Sequence, residues 1–139
     1  MIYQAHEINP KREVDWTIPT EYDWPEEERL REARNELIKD QLQRGVSVQY
    51  RSSGNSLYPY VHSNDICMFE PVLHPETIKL GDIVFCSVQP NNRCFAHKVL
   101  EIYWHGDKRY FTIGNQVGFQ NWYCEDHHIY GRLIEVVRP

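Results

Sequence analysis

The spacing of hydrophobic positions changes once along the chain, at Gly45. Before it, Leu30, Ala33, Leu37, Ile38 and Leu42 recur at three- and four-residue intervals, which places them on one face of a helix. The flanking residues bound that helix. Asp23 can cap it, and Pro25 suits its first turn. Glu26, Glu27 and Glu28 favour the positive end of the dipole, Lys39 and Arg44 lie near the other end, and Gly45 stops it. A helical segment is thus predicted over 25–45, with its narrow stripe covered by a core.

After Gly45 the pattern becomes that of strands. Val46 to Tyr50 alternates, and 66–69, 83–88, 95–104, 109–113 and 129–137 are rich in β-branched and aromatic residues. His105-Gly106-Asp107-Lys108 reads as a hairpin turn. Short strands, irregular loops and no intervening helix predict a mainly β fold. Its strands are expected to be antiparallel and partly barrel-like over 46–139, with one N-terminal helix. Residues 1–24 are polar and punctuated by Pro10 and Pro19, with Tyr3, Trp16, Tyr22 and Trp24 scattered among them. They read as an extended arm that packs on the domain or on a protein partner.

The 139 residues suit one domain with a core of its own. Net charge is −5, and the imbalance lies in residues 1–50, where seven Lys/Arg face eleven Asp/Glu. With no basic stripe, nucleic acid is not an expected partner. No apolar run approaches the roughly 18 residues that span a bilayer, and the first residues lack the pattern of a signal peptide. The expectation is a soluble, unexported protein, cytoplasmic or carried in a viral particle, with the oligomeric state left open. Cys67, Cys86, Cys94 and Cys124 form no C-x-x-C pair and read as reduced, partly buried thiols. Cys124-Glu125-Asp126-His127-His128 has metal-binding residue types. Read as a strand, however, it sends its adjacent histidines to opposite faces, so no metal and no cofactor is expected.

The chemistry-bearing residues are two. Ser56 ends a tight polar loop, Ser53-Gly54-Asn55-Ser56-Leu57-Tyr58-Pro59, and His97 lies forty-one residues downstream in Phe95-Ala96-His97-Lys98-Val99. A serine in a glycine-containing turn and a distant imidazole are the parts that activate a hydroxyl nucleophile.

The order of these motifs resembles the serine-peptidase superfamily of signal peptidases and self-cleaving repressor-type peptidases. Ser53 to Pro59 is similar to its nucleophile box, with Leu57 in place of methionine. Asn64-Asp65-Ile66 and Lys79-Leu80-Gly81-Asp82-Ile83 resemble its two Gly-Asp strand starts, and His97-Lys98-Val99-Leu100 its base box. Tyr110 to Asn115 and Tyr130-Gly131-Arg132-Leu133 resemble the last two boxes, so the likeness spans roughly 46–137. It implies a soluble endopeptidase acting on a peptide or protein, with Ser56 as nucleophile and His97 as base. Backbone N–H groups, with Ser53 in support, would stabilise the oxyanion. A one-residue shift makes Lys98 the base instead. Only one of these neighbours can face Ser56, because side chains alternate along a strand.

Where the histidine branch of the family carries two carboxylates, this chain has Asn115 and Asn121, whose side-chain oxygens can still accept the imidazole N–H in a supporting role. In a Ser-His-Asp site, exchanging the carboxylate for its amide lowers turnover about 10⁴-fold by holding the wrong imidazole tautomer. The competing expectation is therefore a weakened member that serves as a binding or structural module in a larger assembly. Two other family roles are not expected. One acidic helix is too little for a helix-turn-helix module, and no Ala-Gly or Cys-Gly self-cleavage dipeptide is present.

Overall fold

In a computed structural model, residues 5–7, 28–52, 57–90, 92–114 and 120–139 are described. The elements run β1 (Ala5–Glu7), α1 (Glu28–Gln43), β2 (Val48–Arg51), β3 (Ile66–Pro71), β4 (Ile83–Val88), β5 (Arg93–His105), β6 (Lys108–Gly114), β7 (Gln120–Glu125) and β8 (Ile129–Arg138). The sheet order is β2-β3-β8-β4-β5-β6-β7, antiparallel throughout and curled into a half-barrel. The first half of β8 pairs with β4. Its last residues pair with β1 in parallel, Ala5 opposite Val136, which ties one piece of the arm to the sheet.

All six residues of β4 are buried, Ser87 among them, so it is a strand covered on both faces. Ile83 and Phe85 join a first layer with Ile38 and Leu42 of α1, Leu57, Phe69 and Leu133. Val84, Cys86 and Val88 join a second layer with Val99, Phe111, Ile113 and Cys124. Tyr50, Phe69 and Phe85 form the centre of the first. The Tyr50 and Phe69 rings stack at 5.7 Å, and Phe85 meets both edge-on.

Helix α1 lies on the sheet along a line narrower than the apolar stripe implied. Ile38 and Leu42 are buried, whereas Ala33 and Leu37 face outward. The helix buries polar groups as well, Arg34 and Asn35. Asn35 Nδ2 donates to the Cys94 carbonyl at 2.9 Å, and the Arg34 guanidinium sits 5.0 Å from the centre of the Tyr50 ring.

The two Asp turns use one device twice. A residue with positive φ, Asn64 at 75° or Gly81 at 88°, is followed by a buried aspartate. Asp65 Oδ2 accepts the His62 N–H at 2.7 Å, and Asp82 Oδ2 accepts the Lys79 N–H at 2.9 Å. Each carboxylate also meets an arginine of β8, Arg138 at 3.0 Å and Arg132 at 3.9 Å. These turns start β3 and β4 and fix their places beside β8.

Gly131 lets β8 pass close beneath the helix. A Cβ there would stand 2.7 Å from Leu42 Cδ1 and 3.1 Å from the Glu70 carbonyl oxygen. The leucine can swing away, but the carbonyl belongs to the paired strand and yields little. Gly131→Ala is expected to destabilise the fold by about 1–3 kcal/mol, the usual cost of overpacking, read as a lower urea midpoint at unchanged slope.

Candidate active site

Strand β5 presents the two candidate bases on opposite faces. Its register against β4 places His97 opposite Val84 and Lys98 opposite Ile83. Directly paired residues of an antiparallel ladder point to the same side. His97 therefore shares the face of the second layer, and Lys98 that of the first. Ala96, two positions before Lys98, packs on the first layer, and Phe95 packs on the second. Leu57, which follows Ser56 in the chain, is buried in the first layer. Lys98 itself is half-buried.

His97 is held by aromatic rings. Phe95 stacks on it at 4.3 Å between centroids, and Trp122 of β7 meets it edge-on at 5.6 Å. Its Nδ1 donates to the Ala96 carbonyl. Burial lowers its pKa below the usual histidine value, and the Ala96 bond offsets this only in part. The folded protein thus keeps this imidazole neutral at a pH where the unfolded chain, near about 6.5, begins to protonate it. The stabilisation is complete above about pH 6.5 and is lost as pH falls toward the folded-state value. Stability is expected to fall as the pH is lowered through about 6.5, and His97→Phe is expected to flatten that slope in denaturant titrations. His128, whose pKa is also lowered by burial, leaves a residual slope.

Ser53, Ser56 and Asn115 lie outside the described residues. Asn121 belongs to β7, where the register against β6 shifts between Ile113 opposite Trp122 and Gly114 opposite Gln120. The first turn after the serine loop is described. Tyr60 and Val61 donate their N–H groups to the Leu57 carbonyl, and the Tyr58 ring stacks on His62 at 4.8 Å. Ser52 Oγ donates to the His62 carbonyl at 2.6 Å, which closes the loop on itself from the other side.

The Lys98 face also holds a polar network that the sequence did not disclose. Ser87 Oγ shares hydrogen bonds with Tyr130 OH at 2.7 Å and Cys94 Sγ at 3.1 Å. The Cys94 thiol reaches Glu36 Oε1 at 3.7 Å, and Lys39 Nζ stands 5.4 Å from the centre of the Tyr130 ring. Burial raises the pKa of Tyr130 and of Cys94, so both stay protonated near neutrality. Ser87 is fully buried, which makes this a packed joint between α1 and the sheet. Its members are spread from Glu36 to Tyr130, and only the fold brings them together.

The four cysteines are free thiols, three buried and Cys94 half-buried. Burial pushes the Cys67 thiol up to about 12. Asp126, His127 and His128 depart from the strand reading, while Glu125 still ends β7. Residues 126–128 form a 3-10 turn between β7 and β8, and the two imidazole rings stand 4.0 Å apart. Among the described residues, no helix is long and apolar enough to cross a membrane. No protein-family model, no curated protein and no solved structure matches the chain.

Proposed function

We propose that the chain is a signal-peptidase-like serine endopeptidase with Ser56 as nucleophile and Lys98, rather than His97, as base. The observation that carries this reading is the division of β5. Lys98 lies on the face where Leu57, the neighbour of Ser56, is buried, and His97 lies on the other. The histidine then has a structural role, filling the gap between Phe95 and Trp122.

This assignment removes the objection raised by the missing carboxylates. An imidazole base needs a partner that fixes its tautomer, and an amide does this badly. A lysine amine has a single nitrogen and no tautomer to fix. Asn115 and Asn121 are then no obstacle to the chemistry.

In the proposed reaction, the Lys98 amine takes the Ser56 hydroxyl proton as Oγ attacks the scissile carbonyl. Backbone N–H groups of the loop hold the oxyanion, with Ser53 in support. The lysine returns its proton to the leaving amine, and water then hydrolyses the acyl-serine along the same route. Substrate is a peptide or protein segment. The test is cleavage of a peptide library by the wild type and its absence in Ser56→Ala. Folded protein that cleaves nothing under any condition tried would favour the binding-module reading.

A further inference from the structure

We propose that Glu125, His127 and His128 form a binding site for a divalent transition-metal cation, zinc above all, at the corner between β7 and β8. One ligand atom from each of these residues lies within 4.8 Å of the others. Two imidazoles and one carboxylate are a donor set suited to zinc, which takes such ligands at about 2.0–2.2 Å. Bringing the three atoms to those distances needs side-chain rotation, and His127 is exposed and able to provide it.

The local fold explains why the set exists. Glu125 ends β7, and the chain turns at once into one 3-10 turn over Asp126–His128. The turn folds the two histidines toward each other, whereas a strand would have separated them. Around it lies an open hollow of about 370 Å³ that Trp104, Lys108 and Arg109 border from the neighbouring hairpin. Three protein ligands leave at least one coordination position for water on that side.

The groups around the site set its properties. The Glu125 side chain accepts the backbone N–H of His128, and His128 Nδ1 accepts the Glu125 N–H at 3.0 Å. The second of these bonds places the proton of the neutral His128 ring on Nε2. Coordination through either ring nitrogen gives up that bond, since Nδ1 would turn its lone pair to the metal, or Nε2 would bind it with the proton moved to Nδ1. Lys108 Nζ stands 3.7 Å from Glu125 Oε1 and must yield part of that contact. Asp126 is held by Arg109 Nε at 3.1 Å and is left out of the donor set. The site stands apart from the proposed peptidase chemistry, and neither depends on the other.

Cobalt(II) titration of the full chain at pH 7.5 tests the site, with zinc as competitor. One equivalent of cobalt is expected to give a visible absorption band that zinc abolishes, without the near-ultraviolet band of thiolate ligation. His127→Ala lies outside the reciprocal Glu125–His128 bonds, so it should fold normally and bind at least about tenfold more weakly. Glu125→Gln keeps an acceptor for the His128 N–H and is expected to lose affinity while retaining the metal-free unfolding midpoint. Cys94→Ser is expected to bind as the wild type does. No cobalt band, a thiolate band, or unchanged affinity in His127→Ala would overturn the proposal.

Discussion

Lys98→Ala is expected to slow peptide cleavage by about 10²–10⁴-fold, the usual contribution of a positioned general base. His97→Gln is expected to change the rate by less than about tenfold and to act on stability instead. The contrast follows from strand geometry, because neighbours on β5 cannot both face one serine. Lys98→Arg should not restore the rate, since a guanidinium keeps its proton and cannot accept another. The lysine variants should remain folded, which their urea unfolding curves check. The opposite ranking, with His97→Gln inactive and Lys98→Ala active, would return the base to the histidine. It would also require the ring to leave Phe95 and Trp122.

Phe85→Ala is expected to cost about 3–5 kcal/mol, the range for removing a large ring from a core. Phe85 has no solvent exposure and lies on β4, between β5 and β8. Its ring meets Tyr50 at 6.3 Å and Phe69 at 6.0 Å, both edge-on, so truncation opens a void where three rings converge. Domains of this size are commonly stable by only about 5–15 kcal/mol, so a sizeable unfolded population is expected on warming. Phe85→Leu, which leaves a smaller void, should cost less. Urea unfolding followed by tryptophan fluorescence measures both. A Phe85→Ala change below about 1 kcal/mol would mean that the first layer collapses around the gap.

The parts of the fold legible in the sequence were those whose pattern had one physical cause. Ile83 to Val88 was expected to be a strand, and it is; that both its faces are buried came only with the structure. His105 to Lys108 had to turn, and Gly106 does so at a φ of 69°. Strand β7 escaped notice because its inward residues, Trp122 and Cys124, are set among Gln120, Asn121, Tyr123 and Glu125, and two apolar positions make a faint alternation. The outward turn of Leu37 was hidden for a different reason. Helical spacing gives a stripe, but which edge of it meets the sheet depends on partners such as Cys94 and Tyr50, remote in sequence.

For the candidate site the sequence offers residues but not their arrangement. Sequence order marked Ser56 and the His97-Lys98 pair, but the face each side chain takes depends on the pairing of β5 with β4, a long-range fact. The meeting of Glu125, His127 and His128 was obscured by a local one. A strand and a 3-10 turn give adjacent histidines different directions, and the short polar run Glu125 to His128 carries no periodicity to choose between them.

The central claim is that Ser56 is a nucleophile. Wild type and Ser56→Ala, both shown to be folded by their unfolding midpoints, should be incubated with a diverse peptide library and the products identified by mass spectrometry. The account predicts a common set of internal cleavages with the wild type and none above background with Ser56→Ala. Equal cleavage by both proteins, or none by a folded wild type, would contradict it.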